Sequence, residues 1–287
     1  MNDKTVLVQL KETSRYMMGF VVITREDNCI VIDGGRPLDM PSLKKCIGNR
    51  HISAWILTHP HIDHIGGFVD EVSKNGGADF DIEKIYYHFP PYSLIENTNV
   101  SDYAYFSEEL NEMLPDFNRI EPTIRDKCHI VNSGESIMVD ECKIDFLFTF
   151  HDGLYSNVIN DSSLVFKLTA PNKSVLFLGD LGPDGGDFLF RESRQHLKAD
   201  IVQMAHHGHM NVGFEVYAEI MPKTCLWCCP EWLYNEPEFP EYLSKTEKHF
   251  KDGRMRMYGT AVTRKWMDIL GVKEHYVSFM GPNEIEI

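Results

Sequence analysis

The chain has 287 residues, 43% of them hydrophobic and 25% charged, which excludes disordered and fibrous classes and leaves room for one large α/β domain. Its formal charge of −15, from 43 acidic against 28 basic residues, disfavours nucleic acid and anionic membrane surfaces, because both are bound largely through Lys and Arg. A small-molecule substrate is expected instead. No apolar run reaches the roughly 18–20 residues of a membrane span, and Met1-Asn2-Asp3-Lys4 begins no basic-then-apolar leader, so a cytoplasmic location is expected.

Residues 5–10, 19–24 and 29–32 read as short strands, the last running into the turn Asp33-Gly34-Gly35. Pro41 to Ile47 suits a short helix. Ala54-Trp55-Ile56-Leu57 is a continuous apolar run, the mark of a strand buried on both faces. It leads into Thr58-His59-Pro60-His61-Ile62-Asp63-His64-Ile65-Gly66-Gly67 and a helix to about Lys74, closed by Asn75-Gly76-Gly77. After a strand at 82–87, residues 88–127 turn polar and aromatic, with a helical stretch near Ser101 to Leu114. This segment is expected to be an insertion near the active site in an otherwise single domain spanning 1–287.

Strand patterns resume at 128–131, 136–139, 142–150 and 163–169. Two further apolar runs end in polar residues: 174–178 in Gly179-Asp180, and 200–205 in His206-His207-Gly208-His209. Beyond them come a helix near 213–221, a strand at 224–229, a helix near 239–251, and strands near 254–258 and 275–280. Of the seven cysteines, Cys225, Cys228 and Cys229 cluster in an apolar run before a proline with no second Cys/His pair nearby. They read as small buried thiols on a strand.

The chemistry is concentrated in His59-x-His61-x-Asp63-His64. With 13 histidines in the chain, three specified positions would all be His by accident roughly once per 10,000 starting points. Three separate strands end in metal-ligand residue types, and the carboxyl ends of strands in α/β sheets converge on one rim. His59 and His61 can face one cation, Asp63 and His64 a second, and Asp180 can bridge both. Mixed imidazole and carboxylate donors suit zinc first, with manganese or iron also compatible. Asp33 is positioned to hydrogen-bond a ligand imidazole, or else simply forms an Asp-Gly turn. His51, His129, His196, His249 and His275 read as surface or capped residues; His88 and His151 follow strands and retain a smaller claim on the site.

These pieces resemble the metallo-β-lactamase fold superfamily: Ile32-Asp33-Gly34-Gly35, the Thr-His-Pro-His-Ile-Asp-His-Ile-Gly-Gly run, Leu178-Gly179-Asp180 and His206-His207-Gly208. Within it, Asn160-Asp161-Ser162-Ser163-Leu164-Val165 and the segment Asp200 to Gly208 are similar to the hydrolase branch of the ComEC-type metallo domain. The resemblance implies an αββα four-layer sandwich with two divalent metal ions on its rim. His59, His61, Asp63, His64 and Asp180 would be ligands, completed by one of His206 and His207. His206 is favoured because it directly follows the strand, which leaves His207, with Asp63, in the catalytic role. Many members place a further histidine on the first ion; here Asn160-Asp161 occupies that region, so Asp161 or His151 is a possible extra ligand. The expected function is hydrolysis by a metal-bound hydroxide, on a phosphoester or phosphodiester of modest size. A nuclease of DNA or RNA and a lactone or amide hydrolase are the alternatives.

Overall fold

The computed structural model describes residues 2–13, 15–97, 113–154, 157–241 and 258–287. Fourteen strands form two seven-stranded sheets. The first contains β1 (Val6–Gln9), β2 (Gly19–Ile23), β3 (Cys29–Asp33), β4 (Ile52–Ile56), β5 (Ile85–Tyr87), β6 (Cys128–Ile130) and β14 (Asn283–Glu286), in the order β14-β1-β2-β3-β4-β5-β6. The second contains β7 (Ser136–Val139), β8 (Cys142–Phe148), β9 (Val165–Thr169), β10 (Ser174–Phe177), β11 (Ile201–Gln203), β12 (Thr224–Trp227) and β13 (Glu274–Val277), in the order β13-β12-β11-β10-β9-β8-β7.

The period-two alternation of buried strands explains the layering. On β3 and β4, Ile30, Ile32, Ala54 and Ile56 face the interior between the sheets, where they meet Phe146, Phe166, Val175 and Phe177 from the other sheet. Cys29, Val31, Trp55 and Leu57 point the opposite way, into a core shared with the helices Met40–Ile47, Ile62–Asn75 and Met113–Ile124. Leu176, Val202, Cys225 and Trp227 likewise face outward, among side chains of the helices Pro183–Ser193, Phe214–Ile220 and Thr260–Ile269. Helices therefore cover both outer faces, and the architecture is the αββα sandwich.

The second helix stops where the Asn-Gly-Gly signal places its end: Gly76 takes φ 68° and its N–H bonds Val72 O. Several helix and strand features depart from the sequence reading, the short helices Tyr92–Asn97, Val158–Asp161 and Glu231–Tyr234 among them. The helices Pro183–Ser193 and Thr260–Ile269 and the edge strand β14 carry no strong local signal and were not anticipated. Residues 278–280 form a short 3-10 turn instead of continuing β13. The expected helix at 101–114 lies outside the described residues except for Met113 and Leu114, and the expected helix at 239–251 and strand at 254–258 lie largely outside them. The described end of the insertion, Met113–Ile124, buries Phe117, Ile120 and Ile124 in the outer core, while Leu114 packs with Val158 and Ile159. No helix among the described residues is long and apolar enough to cross a membrane.

Candidate metal centre

Three strand ends deliver the site, as the convergence argument requires. The turn after β4 carries His59 and His61, and the first turn of the helix Ile62–Asn75 carries Asp63 and His64. Asp180 follows β10, and His207 follows β11. Two groups of donor atoms result: His59, His61 and Asp180 in one, Asp63, His64 and His207 in the other, the atoms within each lying within 4.8 Å of one another. Asp180 touches both groups. Its Oδ2 is 3.7 Å from His59 Nε2 and 3.1 Å from His207 Nε2, and its Oδ1 is 3.1 Å from His64 Nε2. His207 Nε2 is also 3.3 Å from Asp63 Oδ2.

The order of the paired histidines is the reverse of the expectation. His207 joins the donor group, whereas His206 turns its Nε2 to Asn160 Nδ2 at 3.3 Å and its Nδ1 to Met210 O at 3.2 Å. The reason is backbone geometry: both residues occupy the left-handed region, His206 at φ 46° and His207 at φ 56°, so the chain curls after β11 and the second imidazole swings back over the rim. Two successive non-glycine residues in that region are uncommon and strained. Periodicity along an extended strand could not anticipate this curl.

Each imidazole of the second group is held from behind. His64 Nδ1 lies 2.7 Å from Asp33 Oδ2, and His207 Nδ1 lies 2.7 Å from Cys228 O. With Nδ1–H donating to these acceptors, Nε2 is the nitrogen turned to the centre. Asp33 is fixed in turn by Thr58, whose N–H and hydroxyl donate to its two oxygens at 2.8 and 2.7 Å. Gly67 N–H donates to Gly35 O at 2.8 Å, drawing the helix against the Asp33 turn, and a Cβ at Gly67 would lie 2.4 Å from Met40 Sδ. That close approach is what the second glycine of the pair permits.

Electrostatics reflect the crowding. Burial lowers the pKa of His59 well below its ordinary value and that of His61 to about 4. Burial also opposes a proton on His64 and on His207, but Asp180 outweighs it, with Asp33 adding at His64 and Asp63 at His207; the first rises well above its ordinary value and the second to about 10. For Asp180, burial favours the neutral acid, yet His207 and His64 win and hold it well below the usual carboxylate range.

A cation fits this arrangement. Five buried atoms, His59 Nε2, His61 Nε2, His64 Nε2, Asp180 Oδ1 and His207 Nε2, make no hydrogen bond of acceptable geometry although several lie close together. Buried polar atoms are seldom left this way, and these are the donor atoms that metal ions of the imidazole–carboxylate type take.

Other sequence candidates lie elsewhere. Asp161, expected as a possible extra ligand, accepts Gly185 N–H at 2.9 Å, in the first turn of the helix Pro183–Ser193. It serves that helix's exposed amides and belongs to neither donor group. His151, the other possible extra ligand, accepts Gly153 N–H at 3.0 Å and lies against Phe188, ring centroids 4.2 Å apart, also outside both groups. His88 is bound to Val131 O, and His51 and His129 sit in surface ion pairs. All seven cysteines are free thiols, with Cys225, Cys228 and Cys229 buried as expected.

Several site residues were given no individual role by the sequence, although Ser163 and Gln203 lie within segments that carry the resemblance. Ser163 Oγ accepts Asp180 N–H at 3.0 Å, and Gln203 Nε2 donates to Gly179 O at 3.0 Å, so both brace the turn that presents Asp180. Tyr16, in the β1–β2 connection at φ 55°, lies 5.2 Å from the His207 ring and 5.5 Å edge-on from Trp232, which is 52% exposed. Tyr16 thereby links the His207 ring to the exposed Trp232.

A four-layer αββα sandwich with a rim of clustered His and Asp side chains is the metallo-β-lactamase fold. The sequence agrees: residues 20–124 match the family model described as metallo-beta-lactamase superfamily. No curated protein matches the chain. Among solved structures, the chain is similar to the metallo-beta-lactamase fold protein YhfI from Bacillus subtilis, with 13% identity, 98% of this chain and 99% of that one covered, and a TM-score of 0.51. It is also similar to a variant of the CmlA beta-hydroxylase, with 10% identity, full coverage of this chain and a TM-score of 0.56, although it spans only 55% of that protein. A diphosphatase of the PhnP family aligns at 13% identity over 82% of this chain and 92% of that one, with a TM-score of 0.45. At such identities the structural likeness speaks for the fold alone. Residues 20–124 carry the family match, and the rest of the chain completes the same fold.

Proposed function

We propose that the protein binds two divalent cations and hydrolyses a phosphoester or phosphodiester of modest size. The carrying observation is the set of five buried donor atoms without hydrogen bonds, drawn from three strand ends and joined by Asp180. His59, His61 and Asp180 would hold one cation, and Asp63, His64 and His207 the other, with Asp180 shared. Bound there, a cation pair supplies Lewis acidity toward a phosphoryl oxygen and lowers the pKa of water.

The chain's own groups supply the rest. Asp33 and the Cys228 carbonyl fix the tautomers of His64 and His207. Since His207 stands among the donors, it is replaced here in the role of leaving-group acid. Glu12 is the group that holds a proton near neutrality: burial pushes its pKa up to about 7, against the pull of His207. Half-buried on the same connection as Tyr16, it would protonate the departing alkoxide. Burial, with Glu236 and Asp63, raises the pKa of the Tyr16 phenol, and Arg15 and Arg36 oppose them. These two arginines bring positive charge near Tyr16 in a chain whose net charge is −15, which favours a small phosphoryl anion over a neutral lactone or amide. That same net charge disfavours the polynucleotide substrate that a ComEC-type nuclease would take. The fold alone does not choose the reaction.

A panel of bis-p-nitrophenyl phosphate, p-nitrophenyl phosphate, a homoserine lactone and a DNA oligonucleotide tests the reading. Turnover of a phosphoester by the metal-loaded wild type, abolished in Asp63→Ala, is the expected result. Lactone turnover with none of either phosphoester would overturn it.

A further inference from the structure

Among the described residues, eight buried side-chain nitrogen or oxygen atoms lack a hydrogen-bond partner, and five of them are the donor atoms of the metal centre. A sixth is Asn160 Oδ1. Asn160 is 4% exposed and stands in the short helical turn Val158–Asp161. The residues just after that turn are tied to the strand ends of the centre. Leu164 N–H donates to Thr58 O, one residue before His59, at 2.9 Å, and Ser163 Oγ takes the N–H of Asp180 at 3.0 Å. Asn160 Nδ2 itself lies 3.3 Å from His206 Nε2, and His206 N–H donates to Gly179 O at 3.1 Å.

The chemistry of these partners settles which way the amide points. Met210 O can only accept, so a neutral His206 carries its hydrogen on Nδ1 and offers a bare Nε2 to Asn160. A bare nitrogen needs a donor, so the amide NH2 faces it and the amide oxygen is the free end. An oxygen so buried, with no donor to satisfy it, is destabilising unless something else binds it. Among the described residues it is the only side-chain amide oxygen in the same condition as the five donor atoms.

We propose that Asn160 Oδ1 is a further ligand of the cation held by His59, His61 and Asp180. This rests on the two-cation reading above. It makes the two positions unequal: the second position owns a carboxylate, Asp63, besides its share of Asp180, whereas the first adds only a neutral oxygen. The position at Asp63, His64 and His207 therefore fills first, and Asn160 governs the weaker step.

Cobalt(II) titration of the metal-free full chain reads this directly, through its d–d absorption and a two-step binding isotherm. The wild type should take up two ions in separable steps. Asn160→Ala should keep the tight step, weaken the other by about tenfold or more, and change only the spectrum of the second increment. Asn160→Asp, nearly the same shape with a charged oxygen, should tighten the weak step. Unchanged affinities and spectra in both variants would overturn the proposal while leaving the two-cation reading standing. Uptake of a single ion by the wild type would overturn both. Thermal melts in chelator, expected to stay within a few degrees of wild type, separate ligand loss from misfolding; should Asn160→Ala not fold, Asn160→Asp alone decides, since a purely structural amide predicts no tightening.

Discussion

His64 Nδ1 and Asp33 Oδ2 lie 2.7 Å apart with both side chains fully buried. Asp33 is itself held by the N–H and hydroxyl of Thr58, so a chain of hydrogen bonds runs from the end of β4, through the end of β3, to a donor of the second group. Groups that orient a ligand in this way typically contribute 10–100-fold to metal affinity. Asp33→Asn, which tolerates the φ of 51° found here, should therefore weaken zinc binding by about 10–100-fold, with little loss of secondary structure. Competition with a chromophoric chelator, alongside circular dichroism, measures both.

Asp161 provides the contrasting case. Its carboxylate serves Gly185 N–H in the first turn of a helix, so Asp161→Ala should cost about 1 kcal/mol of stability and lower the melting temperature by about 2–4 °C. Metal stoichiometry should stay at the wild-type value. A loss of one metal equivalent would restore Asp161 as a ligand.

Proton linkage sets the pH dependence of the metal-free chain. The pKa of His207 is raised to about 10 from an ordinary 6.5, and that of His64 is raised as well. Their pairing with carboxylates stabilises the fold fully below pH 6.5 and is lost as pH rises through the folded values. His61 and His206 behave oppositely. Burial lowers them to about 4 and about 3, so the unfolded chain alone takes up their protons below 6.5, and stability drops as pH falls toward those values. Melting temperature in chelator should therefore peak near pH 6.5 and decline on both sides. A cation needs the Nε2 atoms that carry these protons, so its affinity should increase between pH 6.5 and 10, with release of about two protons. Calorimetry in buffers of different ionisation enthalpy counts them.

Glu12 tests the proton donor. Its raised pKa of about 7 means that it is protonated below that pH and lost as an acid above it. The alkaline limb of kcat/KM for an ester with a poor leaving group should break near pH 7. Glu12→Gln should remove that limb and cut the rate by about 10²-fold, while sparing an activated p-nitrophenyl ester. An equal loss on both esters would reduce Glu12 to a structural group.

Much of this was legible before any coordinates. The apolar runs before His59, Asp180 and His206 mark strands buried on both faces, and such strands must end on a common rim. The helix after Asp63 follows from pattern and residue type, the two sheets follow from the resemblance, and Asp33 was read as a partner of some ligand imidazole without His64 being singled out. What was not legible depended on local backbone or on partners distant in sequence. The exchange of His206 for His207 comes from two left-handed residues that no periodicity encodes. Asp161 was mistaken for a donor because a carboxylate reads the same whether it meets a cation or the amides of a helix 24 positions later. Tyr16 is a common residue type on an ordinary loop, and Ser163 and Gln203, although inside segments that carry the resemblance, show their bracing contacts to Asp180 and Gly179 only in three dimensions.

The central claim is the gathering of two cations around Asp180. Anomalous diffraction at the absorption edge of the added metal tests it most directly. Two peaks about 3.5–4 Å apart are predicted, one against His59 and His61 and the other against Asp63, His64 and His207, with Asp180 between them. No anomalous peak within bonding distance of Asp180 in metal-soaked crystals would contradict it.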